Sequence, residues 1–248
     1  MGARVSRADL DKPGGTTRRA SDRDRRPGAT APPETDPMDS FARARSENDS
    51  AESDSAAAPV RPSREQAMEA VRTLIAWTGD DPARAGLIDT PKRVVDAFQE
   101  WFQGYGADPR AELSRVFEEA QGYDDMVLLR DIEVESHCEH HLAPFLGKAY
   151  VAYVPTGKVV GISKIARVVE IFSKRLQNQE SLTIQIADAL TESLDPQGVA
   201  VLIEAEHQCM TTRGVHHRHV STLTSRFTGV FRTDEGLQQR FLRLARGG

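Results

Sequence analysis

The chain has 248 residues, 39% of them hydrophobic and 28% charged, with a formal net charge of −5. An acidic balance argues against wholesale nucleic-acid binding but leaves room for a local basic pocket that takes a small polyanion. No stretch approaches the roughly 18 apolar residues of a membrane span, and the N-terminus has no apolar signal core.

Residues 1–60 are rich in Arg, Asp, Ser, Pro and Ala and nearly free of large apolar side chains. Such a segment buries too little surface to offset its ordering entropy, and it is expected to be a disordered extension. Met38 inside it is a candidate start. The Arg/Ser content resembles a transit peptide, but Asp9, Asp11, Asp22 and Asp24 break that pattern, so a cytoplasmic protein is expected.

Order is expected from Ser63, which forms a capping box with Gln66 ahead of Val71, Leu74 and Ile75 at helical spacing. A second helix opens at Thr90-Pro91, carries Val94, Val95, Phe98, Trp101 and Phe102 as its apolar stripe, and ends at Gly104 and Gly106. Residues 61–122 thus form a helical segment. From 123 to 248 the pattern changes. Residues 126–138 alternate as a strand, with Ile132, Val134, Ser136 and Cys138 on one face and Glu133, Glu135 and His137 on the other. Residues 148–155 make a second strand. A helix from Ser163 carries Ile165, Val168, Val169, Phe172 and Leu176, and the next aligns Leu182, Ile186, Leu190 and Leu194 before Asp195-Pro196 and Gly198 stop it. Val199, Val201, Ile203 and Ala205 alternate in a third strand, whose parity extends to His207 and Cys209. A fourth strand fits 220–232, and a short helix ends the chain. The order β-β-α-α-β-β predicts an α+β fold, an antiparallel four-stranded sheet with helices on one face.

All seven histidines lie between 137 and 219, and each of the two cysteines, Cys138 and Cys209, has histidines within three residues. Cys138 and His141 form a C-x-x-H pair, a spacing at which one turn directs two ligands at one metal. With Cys209 they make a Cys₂His set that suits zinc and is used in catalytic sites that keep a fourth position for water. His140 and His207 are candidate bases beside it. Two alternatives stand at this stage: a structural zinc site closed by one of those histidines, and a redox disulfide between the cysteines.

A second signal is a polyanion site. Lys164 and Arg167 sit at i and i+3 in the first turn of the helix from Ser163, where free amides and the dipole favour phosphate. Arg213 follows Cys209 closely. Glu180 opens the following helix beside Gln179; it either complements the dipole or accepts two hydrogen bonds from a guanine edge. His216, His217, Arg218 and His219 read as an exposed loop, with a metal tail or phosphate clamp as alternatives.

Together these residues resemble the GTP cyclohydrolase I family. The likeness runs from about Gly86 to the C-terminus. It includes residues 89–94 (DTPKRV), 138–142 (CEHHL), 151–155 (VAYVP), 161–167 (GISKIAR), 175–180 (RLQNQE), 207–210 (HQCM) and 213–215 (RGV). The resemblance implies a tunnelling fold (T-fold) for 123–248 and a homo-oligomer, typically a decamer of two pentamers with active sites between subunits. It implies zinc held by Cys138, His141 and Cys209, and proton transfer by His140 and His207. Guanine would be held by Glu180 with Gln179, and triphosphate by Ser163, Lys164, Arg167 and Arg213, with Arg93 as a helper. The implied reaction is hydrolysis of GTP at C8 with formate release and rearrangement to 7,8-dihydroneopterin triphosphate, the first step of tetrahydrofolate and pterin biosynthesis. The chain departs from the family pattern at Ser181, where Arg is common, at Thr212, where Met is common, and in the His-rich run 216–219.

Overall fold

The structure is a computed structural model, and it describes residues 61–114, 116–117, 123–157 and 159–247. The expected disordered extension 1–60 lies outside the described residues.

Helix α1 (Arg64–Trp77) opens with the capping box: Ser63 Oγ accepts from the Gln66 amide and the Gln66 side chain accepts from the Ser63 amide. Helix α2 (Thr90–Trp101) has Asp89 at its N-cap and Thr90 as its first helical residue, one residue off the expected cap. Arg64 joins the two helices through an ion pair with Asp96. A 3₁₀ turn (Gln103–Gly106) follows. Gly104 is required there, since a Cβ would stand 2.0 Å from the Ile171 carbonyl oxygen. Helix α3 (Pro109–Leu113) and strand β1 (Val116–Phe117) complete this segment.

The sheet follows. Strands β2 (Val127–Cys138) and β3 (Pro144–Val154) are antiparallel, with a bulge between Leu129 and Ile132 where Asp131 takes a positive φ of 56°. Short β4 (Val159–Val160) pairs with β1. Helix α4 (Ile162–Ser173) comes next, then β5 (Leu176–Gln177), α5 (Gln179–Leu194) and β6 (Gly198–His207). Helix α6 (Gln208–Thr211), strand β7 (Ser221–Phe227), α7 (Val230–Thr233) and α8 (Glu235–Ala245) complete the chain.

The main sheet runs β5-β2-β3-β6-β7. Among the described residues it therefore has five strands, and β5 is parallel to β2, so the sheet is mixed where four antiparallel strands were expected. Leu176, expected at the end of a helix, belongs to β5 because α4 stops at Ser173 and the chain extends to pair with His137 and Cys138. Strand β7 also ends sooner than expected. Gly229 turns the chain with φ 50°, and a Cβ there would stand 2.0 Å from the Gln197 carbonyl, so residues 230–233 coil into α7.

Two apolar clusters flank the sheet. On one face Val134, Phe145, Val151, Val199, Val201 and Ile203 pack with Ile165, Val169, Leu182, Ile186 and Leu190 of α4 and α5. On the other, Ala152, Ala200 and Leu202 meet Phe231, Phe241 and Ala245 of α7 and α8. Helices therefore cover both faces, against the expectation of one. Strand β6, central and buried on both sides from Gly198 to Ile203, reads as a nearly continuous apolar run for that reason. Each fully buried Leu, Ile or Phe contributes roughly 1.5–3 kcal/mol relative to exposure.

Candidate metal centre and active site

The turn after β2 is built by its own backbone. The Cys138 amide donates to the Ala143 carbonyl (2.8 Å), and the His141 and Leu142 amides donate back to the Cys138 carbonyl (3.3 and 2.8 Å). Leu142 takes a left-handed φ of 55° to close it. The turn is also anchored sideways: the Glu139 amide donates to the Gln177 carbonyl (2.9 Å), and Asn178 Nδ2 donates to Glu139 Oε1 (2.7 Å). Parallel pairing with β5 thus holds the Cys-x-x-His turn against the start of α5.

The third member arrives from β6. The strand ends at His207 and the chain coils at once into α6, so Cys209 reaches the turn from a helical position and not by the strand parity expected. The ligand atoms of Cys138, His141 and Cys209 all lie within 4.8 Å of one another. Cys138 is buried, Cys209 half-buried and His141 exposed, so the centre opens to one side. Both cysteines are free thiols. His140 Nδ1 is 3.6 Å from Cys138 Sγ but lies outside the mutually close set.

The donor chemistry fits a metal. Burial, then the neighbouring Cys138, push the Cys209 thiol above its ordinary value, and Arg213 only partly opposes this. Two adjacent thiols resist becoming two thiolates without a cation between them, and a divalent ion supplies it. Sulfur and imidazole donors together suit zinc. Arg213 Nη1 donates to His141 Nε2 (2.9 Å), which ties the loop after α6 to the turn after β2.

His207 stands beside this centre in a fixed pose. Its ring stacks on Phe145, its register partner across β3 and β6, at 4.5 Å and 11°. Its Nε2 meets Gln179 Oε1 at 2.8 Å. Burial lowers the imidazole pKa, and the Glu180 carboxylate pulls it back up. Gln179 is 1% exposed, and its amide nitrogen is engaged with Ile203 O, Thr222 O and Thr224 Oγ1. Glu180, by contrast, is exposed at the first turn of α5.

The remaining predicted residues gather elsewhere. Ser163, Lys164 and Arg167 lie in the first turns of α4, whose N-cap is Gly161. Lys164 Nζ pairs with Glu112 Oε2 of α3 at 2.7 Å, and Arg167 Nη1 approaches the same oxygen at 3.6 Å. Arg93, on α2, pairs with Asp89 at 3.6 Å. Among the described residues, no hydrogen bond or ion pair links either group to the Cys/His centre. The sequence reading missed two participants. Glu112 has no local signal, since its partners lie 52 and 55 residues away. His137 also went unused; it is buried under Trp101 (4.7 Å) of α2 and Phe102 (5.2 Å) at its C-cap, and burial, with Lys174 adding to it, lowers its pKa. The His-rich run bends through left-handed positions at His216 and His219 and is exposed.

The GTP cyclohydrolase I family model matches residues 67–246. The chain belongs to the GTP cyclohydrolase I family. It is 71% identical over 184 residues to the GTP cyclohydrolase 1 of Hyphomonas neptunium, covering 74% of this chain and 89% of that one. It is 68% identical over 189 residues to that of Maricaulis maris, covering 76% and 92%, and 57% identical over 182 residues to that of Allorhizobium ampelinum, covering 73% and 90%. As a GTP cyclohydrolase I family member the chain is an enzyme, a hydrolase. Among the described residues, no helix is long and apolar enough to cross a membrane.

Proposed function

We propose that this chain hydrolyses GTP at C8 in a zinc-dependent reaction, releases formate and rebuilds the opened ring as 7,8-dihydroneopterin triphosphate, the entry step to tetrahydrofolate and pterin synthesis. The observation that carries this reading is the three-donor Cys138–His141–Cys209 set with a held imidazole, His207, at its side. Those three residues would hold the zinc, which when bound supplies Lewis acidity toward water. His207 and His140 move protons to and from the guanine imidazole ring. Glu180 accepts the N1–H and 2-amino donors of guanine, and would reject adenine because its carboxylate would be left without them. The Gln179 amide is already engaged in the interior, so its part is to support His207 while Glu180 carries base recognition. Ser163, Lys164, Arg167, Arg213 and Arg93 bind the triphosphate, Lys164 and Arg167 at a helix start suited to anions.

The same reading makes the enzyme a cytoplasmic T-fold homo-oligomer, a decamer of two pentamers, with each active site completed across subunits. Several observations support this. Among the described residues, no hydrogen bond or ion pair links the phosphate-binding candidates on α4 to the Cys/His centre. Among the described residues, Leu74, Trp77 and Ile88 of the N-terminal helical segment are exposed, Trp77 above all at 84%. The outer edge of β7 and most of that of β2 pair with no strand among the described residues. The test is direct. Purified zinc-loaded protein is incubated with GTP or ATP, and formate is measured together with a fluorescent pterin after oxidation. Both products from GTP alone are expected; GTP binding without formate would overturn the proposal.

A further inference from the structure

Gln179 sits where the orientation of a side-chain amide is dictated by its surroundings. Its terminal nitrogen faces two backbone carbonyls, Ile203 O at 3.1 Å and Thr222 O at 2.9 Å, which only accept. The third neighbour, Thr224 Oγ1 at 3.1 Å, is also an acceptor, by the following chain. Thr183 Oγ1 gives its one proton to the Gln179 backbone carbonyl (2.8 Å). It can therefore only accept in its 2.7 Å contact with Thr224 Oγ1, which takes the proton of Thr224. Thr224 is left with lone pairs for Gln179. A reversed amide would set its oxygen against three acceptors, and Gln179 is too buried for water to relieve them.

Gln179 Oε1 is therefore the atom that meets His207 Nε2 at 2.8 Å, and an amide oxygen carries no proton to give. Nε2 must be the protonated nitrogen. The geometry points to Gln179 as a positioning residue that locks His207 in the Nε2–H tautomer and leaves Nδ1 as the nitrogen available to the reaction. Stacking on Phe145 removes the other freedom, rotation of the ring plane. This deepens the reading of His207 as a proton-transfer group and rests on it, and it separates the two histidines: His140 is exposed, and its Nδ1 lies 3.6 Å from the Cys138 thiol and not against a fixed amide oxygen.

The experiment reads the tautomer itself. Zinc-loaded protein carrying ¹⁵N-labelled histidine is studied by solid-state NMR at a pH where His207 is neutral, with its resonances assigned by their loss in His207→Asn. A protonated Nε2 with an unprotonated Nδ1 is expected; a protonated Nδ1, or an even mixture of both forms, overturns the inference. This measurement on the unaltered protein holds whether or not variants fold. Gln179→Leu should then mix the tautomers and lower kcat by roughly tenfold to a hundredfold with KM for GTP changed less than about twofold. Thr224→Val keeps both carbonyl acceptors and should keep the tautomer; loss of the tautomer there would show that the carbonyls do not orient the amide. The outcomes separate: a locked tautomer in a protein that releases no formate removes the proposed function and leaves the lock, while Nδ1–H in an active enzyme removes the lock alone.

Discussion

Phe145 and Leu146 are adjacent on β3 and point to opposite faces. Phe145 is fully buried in the α4/α5 cluster, whereas Leu146 is 49% exposed. Phe145→Ala removes a whole ring from a packed interior and leaves a cavity, at a cost of about 3–5 kcal/mol. With a urea slope of about 2 kcal/mol per molar, the unfolding midpoint should fall by about 1.5–2.5 M. Leu146→Ala should stay within about 0.5 kcal/mol. The ring also backs His207, so Phe145→Leu, which refills most of the volume for about 1–2 kcal/mol, should still depress turnover because no flat surface remains against the imidazole. The assay is urea denaturation at one fixed protein concentration, so that assembly contributes equally, together with zinc content and formate release. A Phe145→Ala midpoint within 0.5 M of the parent would refute the packing argument. Full turnover in Phe145→Leu would refute the claim that stacking holds the imidazole.

Cys209→Ala should abolish stoichiometric zinc binding by elemental analysis, while His140→Ala should keep the metal and lose ring opening; metal retained in the first or lost in the second would redraw the ligand set. Glu112→Gln should free Lys164 and Arg167 from a competing carboxylate, tighten GTP binding by a few-fold and steepen its salt dependence; weaker binding would mean that Glu112 orients the cations instead of competing for them. Asp188 bears on pH. Burial raises its pKa and Glu192 adds to this, against Arg226, so the folded state holds a proton that the unfolded chain releases, and stability falls as pH rises from the unfolded value through the raised native one. Asp188→Asn should therefore flatten that decline, and the gain in urea midpoint over the parent should be larger at pH 7 than at pH 3.5; an equal gain at both would exclude the linkage.

Period and spacing made much of this molecule legible. The capping box at Ser63, the stripes of α4 and α5 and the apolar run of β6 are local patterns, written by which faces of each element are buried. Where the reading slipped, the deciding interaction was not local. Leu176 continues a helical stripe, yet pairing with the end of β2 draws it into a strand. Cys209 continues the parity of β6, yet the chain has already coiled into α6. The second helical layer was unreadable because an apolar run in a central strand says that both faces are covered without saying by what.

The sequence by itself determined the chemical inventory: two thiols and an imidazole spaced for one metal, cations at a helix start, a carboxylate opening the next helix. Ligand chemistry depends on residue type and short spacing, and both are printed in the chain. Tertiary structure alone decided what each polar group is facing. Gln179 turned inward to hold a histidine 28 residues away, and Glu112 came to rest on cations more than 50 residues further along. A hydrogen bond is set by distance and direction in space, and neither is encoded by the order in which its two partners are strung.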